Sequence, residues 1–291
     1  MRSPLTDSYE GHSLALYSSW LVCRPYHFMV DCGEGCATAL RNRVFGVRTL
    51  ALTHGHLDHI SGLPGLINAR RAAMGSAEEP ITIAHPVGDP LLAPMRSYLE
   101  ASQPNLADTV IWLPLEPGQR LPVDEHRTLE AFATRHAGFL TLGYRLLEHR
   151  TRLRPELRGL SGQAIRDLAA ERGREAVNES YDHPLAVFGG DGLTPDMATL
   201  AGADVAWLEA TFLDEAERNP MVHATMAEAV AAATEADVRD LVLLHVSGRY
   251  QRAEAKALAR ELAASHGFGG RLHLMWRESI EQLSEPTERE V

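Results

Sequence analysis

Short apolar runs broken by turn-forming residues dominate the first fifty positions, and this spacing predicts strands before helices. "SLALYSSWLV" (13–22) and "YHFMVDC" (26–32) read as a hairpin rich in β-formers, after which "CGEG" turns the chain. "ATALRNRV" (37–44) reads as helix and "VRTLALT" (47–53) as a buried strand. A helix is expected from Asp58, whose carboxylate suits a helix N-terminus, through "GLINARRAAMG" despite Pro64. Strand "ITIAH" (81–85), helix around 90–101 and strands near 109–113, 127–134 and 140–148 follow. The pattern restarts with strand "LAVFGGD" (185–191), helix near 195–201 and strand "DVAWLEATF" (204–212). Helix 224–236, strand 241–246, helix 250–265 and strand 271–276 complete it. Strands precede helices in both halves, which predicts an α/β fold of two facing sheets with helices outside, a four-layer αββα sandwich. Residues 1–291 read as one domain, with 149–183 an excursion from it.

Composition narrows the class. The 291 residues are 45% hydrophobic and 23% charged, enough to fill several cores without staples. No run of 18 apolar residues is present, and "MRSPLTDSYEGHS" has no apolar centre, so neither a membrane span nor a secretory leader is expected. Cys23, Cys32 and Cys36 are odd in number and form no CxxC pair, which predicts a reduced, cytoplasmic setting. A net charge of −11 has the wrong sign for a general nucleic-acid binder. The charge is uneven, however. Residues 145–174 hold eight arginines against four acids, a local +4 that leaves −15 for the remainder. Such a run is either a solvated helix face or an anion-binding segment.

The densest chemistry is "LTHGHLDHISGLPG" (52–65). His54 and His56 stand two apart, so an extended segment projects them to one side, and Asp58 and His59 follow as the chain turns into helix. Imidazole with carboxylate is a donor set for zinc, and manganese or iron also suits it. Single candidates stand at other strand ends: His136 after "LEAFAT", Asp191 among Gly189, Gly190 and Gly192, and His245 in "LVLLHVSGRY". Together these seven residues suffice for two metal sites. Asp31 reads either as an orienter of a ligand histidine or as a turn cap, and His85 as supporting rather than ligating.

HxHxDH with a later His, Asp and His resembles the metallo-β-lactamase superfamily, whose fold is the αββα sandwich. "DCGEG" (31–35), "HISGLPGL" (59–66), "EATF" (209–212) with "HAT" (223–225), and "HVSGRY" (245–250) make the chain similar to ribonuclease Z, the tRNA 3′-end endonuclease. The stretch 144–168 resembles the short plant-like form. The long Gly–Pro arm of that family is absent, and 149–183 offers a shorter arginine-bearing segment.

The resemblance implies two zinc ions, one on His54, His56 and His136 and the other on Asp58, His59 and His245, with Asp191 bridging. It implies a phosphodiesterase in which metal-activated hydroxide attacks phosphorus, His223 with Glu209 protonates the leaving 3′-oxygen, and Asp58 steers the water's proton. Ser247 and Arg249 are expected on phosphate, and Arg152, Arg154 and Arg158 on RNA. The expected partner is a tRNA precursor or a small phosphodiester, the chain being a homodimer away from membranes. Two other readings stay open: a metallo-hydrolase of small phosphodiesters, cyclic nucleotides or other esters and lactones, and a non-catalytic RNA- or protein-binding relative.

Overall fold

Strands that are apolar on both faces need cover on both sides, and that requirement sets the layers. The computed structural model describes residues 8–74, 79–103, 105–136, 138–218 and 222–286. The start of the N-terminal stretch read for a leader (1–7) and Gly75 of the expected helix lie outside these. Six strands, β1 (Tyr9–Leu14), β2 (Ser18–Cys23), β3 (Phe28–Val30), β4 (Thr49–Ala51), β5 (Ile81–Pro86) and β6 (Val110–Leu115), form one sheet in chain order. Eight form the other: β7 (Arg120–Pro122), β8 (Arg127–Thr134), β9 (Thr141–Leu153), β10 (Asn178–Phe188), β11 (Val205–Glu209), β12 (Asp240–Leu244), β13 (Arg271–Trp276) and β14 (Ser279–Ser284).

Leu21, Phe28 and Val30 of the first sheet pack against Tyr144, Phe188 and Trp207 of the second to make the central core. Helices α1 (Cys36–Leu40), α2 (Leu57–Ile60), α3 (Leu63–Met74) and α4 (Leu92–Ser102) belong to the first half of the chain, where Leu40, Ile60, Leu66 and Leu99 cover the outer face of the six-stranded sheet. After α5 (Gly162–Arg172), α6 (Met197–Leu200), α7 (Met226–Glu235) and α8 (Arg252–His266) cover the eight-stranded sheet through Leu200, Val230 and Ala259. This is the expected four-layer sandwich. No helix among the described residues is long and apolar enough to cross a membrane.

Three local expectations need correction. The apolar run 13–22 is two strands, because the chain reverses at Ala15–Tyr17, where Leu16 takes a positive φ of 72°. The expected helix from Asp58 breaks between α2 and α3. Gly62 donates to Cys32 O at 2.7 Å, and a Cβ on it would lie 2.3 Å from Gly33 O. The short strands β7 and β14 have no counterpart among the strands expected from the apolar pattern. The segment 149–183 prolongs β9 and β10 as a paired ribbon, Thr151 opposite Ser180, with α5 in its loop. Cys23, Cys32 and Cys36 are buried free thiols.

Candidate metal centre

Each candidate ligand and its nearest supporting carboxylates leave the C-terminal end of a strand, and the two sheets bring those ends together. Asp31 follows β3, the HGHLDH loop follows β4, His136 follows β8, Asp191 follows β10, Glu209 ends β11 and His245 follows β12. One backbone and one side-chain hydrogen bond join the sheets at this edge: Leu142 N donates to Thr53 O at 2.9 Å, and Tyr144 Oη donates to Leu52 O at 2.6 Å. Asp31 and His245 sit at φ of 57° and 58°. That left-handed backbone costs roughly 1 kcal/mol or more per non-glycine residue, and strain of this kind gathers at functional sites.

The hydrogen bonds around the histidines fix which nitrogen carries a proton. Thr53 Oγ1 donates to Asp31 at 2.9 Å, so it accepts from His54 Nδ1 at 2.9 Å. His59 Nδ1 donates to Asp31 Oδ2 at 2.8 Å, and His136 Nδ1 donates to Val222 O at 3.1 Å. Thr211 Oγ1 donates to His245 O at 3.0 Å and accepts from His245 Nδ1 at 2.9 Å. Four rings thus commit Nδ1–H outward and turn Nε2 inward, the arrangement that orients imidazole ligands.

Two donor groups result. His54 Nε2 lies 2.9 Å from His56 Nδ1, which lies 3.0 Å from His136 Nε2. Burial pulls all three below the ordinary imidazole range, and His54 Nε2 and His136 Nε2 both turn their lone pairs toward His56 Nδ1. In the second group Asp191 Oδ2 is 3.1 Å from His59 Nε2 and 3.2 Å from His245 Nε2, and Asp58 Oδ2 is 3.6 and 3.7 Å from the same nitrogens. His245 Nε2 is buried and makes no hydrogen bond. Burial opposes charge on His59 and His245, but the surrounding carboxylates together outweigh it and push both up, Asp191 with Asp31 at His59 and Asp191 with Asp58 and Glu209 at His245. Asp191, which burial alone would push up, is held well below the usual carboxylate range by His245 and His59. Converging lone pairs and an orphaned buried nitrogen beside carboxylates suit cations, which would take the place of the shared protons. The residues present therefore fit divalent metal.

Beside these groups, Glu209 Oε2 accepts from His223 Nδ1 at 2.9 Å, and Glu209 also accepts the Ala224 N–H. Burial pushes the Glu209 carboxyl up, while its bond to the His223 ring and the charge there pull it back down. Burial would lower His223, but the Glu209 bond and charge raise it. His223 Nε2 is then the nitrogen left for the cleft. That cleft, about 300 Å³, is lined by His56, Asp58, His136, Asp191, His223 and His245 together with Ser247 and Arg249. Arg249 Nε donates to Ser247 Oγ at 3.2 Å, and its guanidinium stands 5.4 Å above the Phe212 ring.

The structure therefore brings together the seven expected ligands, Glu209, His223, Ser247 and Arg249. It does not bring the three arginines to the cleft. Arg152 lies on the ribbon, paired with Glu179 at 2.7 Å and 4.7 Å from the Tyr181 ring. Arg154 donates to Glu175 O at 3.2 Å, and Arg158 is exposed on the ribbon's loop. His85 stands apart, with Nδ1 on Pro86 O. Sequence reasoning missed Thr53, Thr211, Ser13, whose Oγ accepts the His245 N–H at 2.8 Å, and Leu16, whose N–H donates to Asp58 Oδ2 at 3.1 Å. Only adjacency, Thr53 before His54 and Thr211 after Glu209, hinted at the threonines.

Residues 177–246 match the family described as a beta-lactamase superfamily domain, and residues 16–148 match Anti-Pycsar protein Apyc1. Ribonuclease Z of Bradyrhizobium sp. (strain ORS 278) is 34% identical over 268 residues, covering 80% of this chain and 84% of that one. Human tRNase Z, short form (ELAC1), superposes with a TM-score of 0.61 at 21% identity over 95% of this chain and 99% of that one. The metallo-beta-lactamase fold protein YhfI from Bacillus subtilis does so with a TM-score of 0.64 at 16% identity, over 94% and 98%.

Proposed function

Because the chain belongs to the ribonuclease Z family within the metallo-β-lactamase superfamily, we propose that it is a metal-dependent phosphodiesterase that cleaves tRNA precursors at the 3′ end. The observation that carries this reading is the convergence of two inward-facing donor groups on one cleft that also holds His223, bonded through Nδ1 to Glu209. His54, His56 and His136 would hold one divalent ion, Asp58, His59 and His245 the other, and Asp191 both. The imidazole and carboxylate donors favour zinc. When bound, such a pair acidifies a water for attack and offsets charge on phosphate oxygens.

The protein's own groups do the rest. Asp58 Oδ2, held by the Leu16 N–H, faces the cleft as an acceptor for the attacking water's proton. His223 Nε2 delivers a proton to the departing 3′-oxygen, and Glu209 keeps the ring charged and aimed. Arg249 offers its fork to a phosphate oxygen, steadied by Ser247. The arginines of the ribbon, Arg152, Arg154 and Arg158, would meet RNA away from the cleft.

A second reading is a hydrolase of small phosphodiesters. It is favoured by one observation: among the described residues Arg249 is the single Arg or Lys on the cleft lining, and Glu217 lies 3.8 Å from it. Incubating the metal-loaded protein with a tRNA precursor and with bis(p-nitrophenyl) phosphate separates the two. The tRNA reading expects a 3′-end cut of the precursor. Turnover of the small ester with an intact precursor would favour the second.

A further inference from the structure

The peptide between His223 and Ala224 is held at both of its polar ends by charged side chains. Its N–H, on Ala224, is bonded to Glu209. Its carbonyl, on His223, accepts from Arg218 Nη1 at 3.3 Å. Arg218 is no ordinary surface cation, since its side chain is only 2% exposed. Nη1 also reaches Glu228 Oε2 at 2.6 Å, and Nη2 reaches Glu215 Oε1 at 3.3 Å. Glu228 is fixed in turn. It accepts the Thr225 N–H at 2.8 Å while Thr225 Oγ1 accepts the Glu228 N–H at 3.2 Å, the capping box that starts α7. A guanidinium this buried is costly unless its partners hold it, and these partners tie the main chain at His223 to a rigid helix end.

We propose that Arg218 is a positioning residue for the leaving-group step, fixing the His223 carbonyl so that the imidazole stays on Glu209 with Nε2 toward the cleft. Glu209 alone fixes the ring and one end of the peptide. Without Arg218 the plane can rotate about the Ala224 bond and carry the ring off line. The inference rests on His223 being the proton donor. Proximity effects are steep, and a displacement of about 1 Å can cost on the order of 100-fold in rate.

The test uses full-length, metal-loaded protein and two substrates, a tRNA precursor with a poor leaving group and bis(p-nitrophenyl) phosphate with a good one. Arg218→Met should lower kcat on the precursor ~10- to 100-fold. KM, bound metal and small-ester turnover should stay within about threefold. In a His223→Ala background, Arg218→Met should cost nothing more on the precursor, because the group it positions is gone. Glu228→Gln, which keeps the capping box, should show the same selective loss in weaker form and decides the matter should Arg218→Met fail to fold. Equal losses on both substrates, a further loss in the His223→Ala background, or an unchanged substrate ratio in Glu228→Gln would each overturn the inference. If His223→Ala itself loses equally on both substrates, the proton-donor reading fails and this inference falls with it. If His223→Ala is selective and the Arg218 and Glu228 variants are not, only this inference fails.

Discussion

Thr53 Oγ1 touches both Asp31 and His54, and Thr211 Oγ1 touches both His245 and Glu209. Each hydroxyl sets an imidazole so that its lone pair points inward, and groups in this position are worth about 10- to 100-fold in metal affinity. Thr211→Val should therefore weaken metal binding by roughly that factor without unfolding the protein, measured by competition with a chromophoric chelator. Wild-type affinity in the variant would mean that His245 needs no orienting partner. His223→Ala should keep its metal and lose about 10²- to 10⁴-fold on a tRNA precursor, but far less on a p-nitrophenyl diester that leaves without a proton. Equal losses would make His223 a substrate-positioning group. HGHLDH was legible because its four ligands are close together in the chain. Thr53, Thr211 and Ser13 were not, because each acquires its role only when two strands, or two sheets, meet.

Strands and helices deliver these residues with different degrees of legibility. The buried parallel strands β4, β11 and β12 announce themselves as apolar runs, and the site residue at the end of each follows from that. The β1–β2 turn was hidden, since Leu16 and Tyr17 continue the apolar run while standing 84% and 65% exposed. The break before α3 was hidden as well. Gly62 is needed for close approach to Cys32 and Gly33, which no helical period reveals. Gly62→Ala should cost about 1–3 kcal/mol by overpacking, read as a lower Tm. An unchanged Tm would mean that the Gly33 loop yields freely. The ribbon of β9 and β10 and its loop carry the three arginines expected on RNA. Replacing Arg152, Arg154 and Arg158 with alanine should weaken tRNA binding and flatten its salt slope by about one for each phosphate no longer neutralised, with small-ester hydrolysis unchanged. An identical slope would reduce the ribbon to a solvated surface.

At the scale of the whole molecule, the site lies at one edge of both sheets, and a separate charged cluster closes the opposite ends of β12 and β13. Buried Asp240 accepts from Arg271 at 2.6 and 2.5 Å and from His273 Nε2 at 3.0 Å. Burial alone would raise its carboxyl, but Arg271 and His273 outweigh that and lower it. Its contribution is therefore present above the ordinary aspartate range, near about 3.9, and is lost as pH falls through the lower folded value. Asp240→Asn should cost about 1–3 kcal/mol near neutral pH and make stability less steep below about pH 4, measured by urea unfolding across pH. A parallel shift at all pH values would contradict this assignment.

On the proposed function, two donor groups on one cleft hold the metal with which the protein cuts a tRNA precursor at its 3′ end. The most direct measurement is product mapping on a 3′-extended tRNA precursor with metal-loaded protein, chelated protein and Asp191→Ala. The expected result is a single cut at the 3′ end of the tRNA body that leaves a 3′-hydroxyl, lost on chelation, restored by zinc, and absent in Asp191→Ala. An intact precursor under conditions where the same preparation hydrolyses bis(p-nitrophenyl) phosphate, or cleavage that survives both chelation and Asp191→Ala, would contradict it.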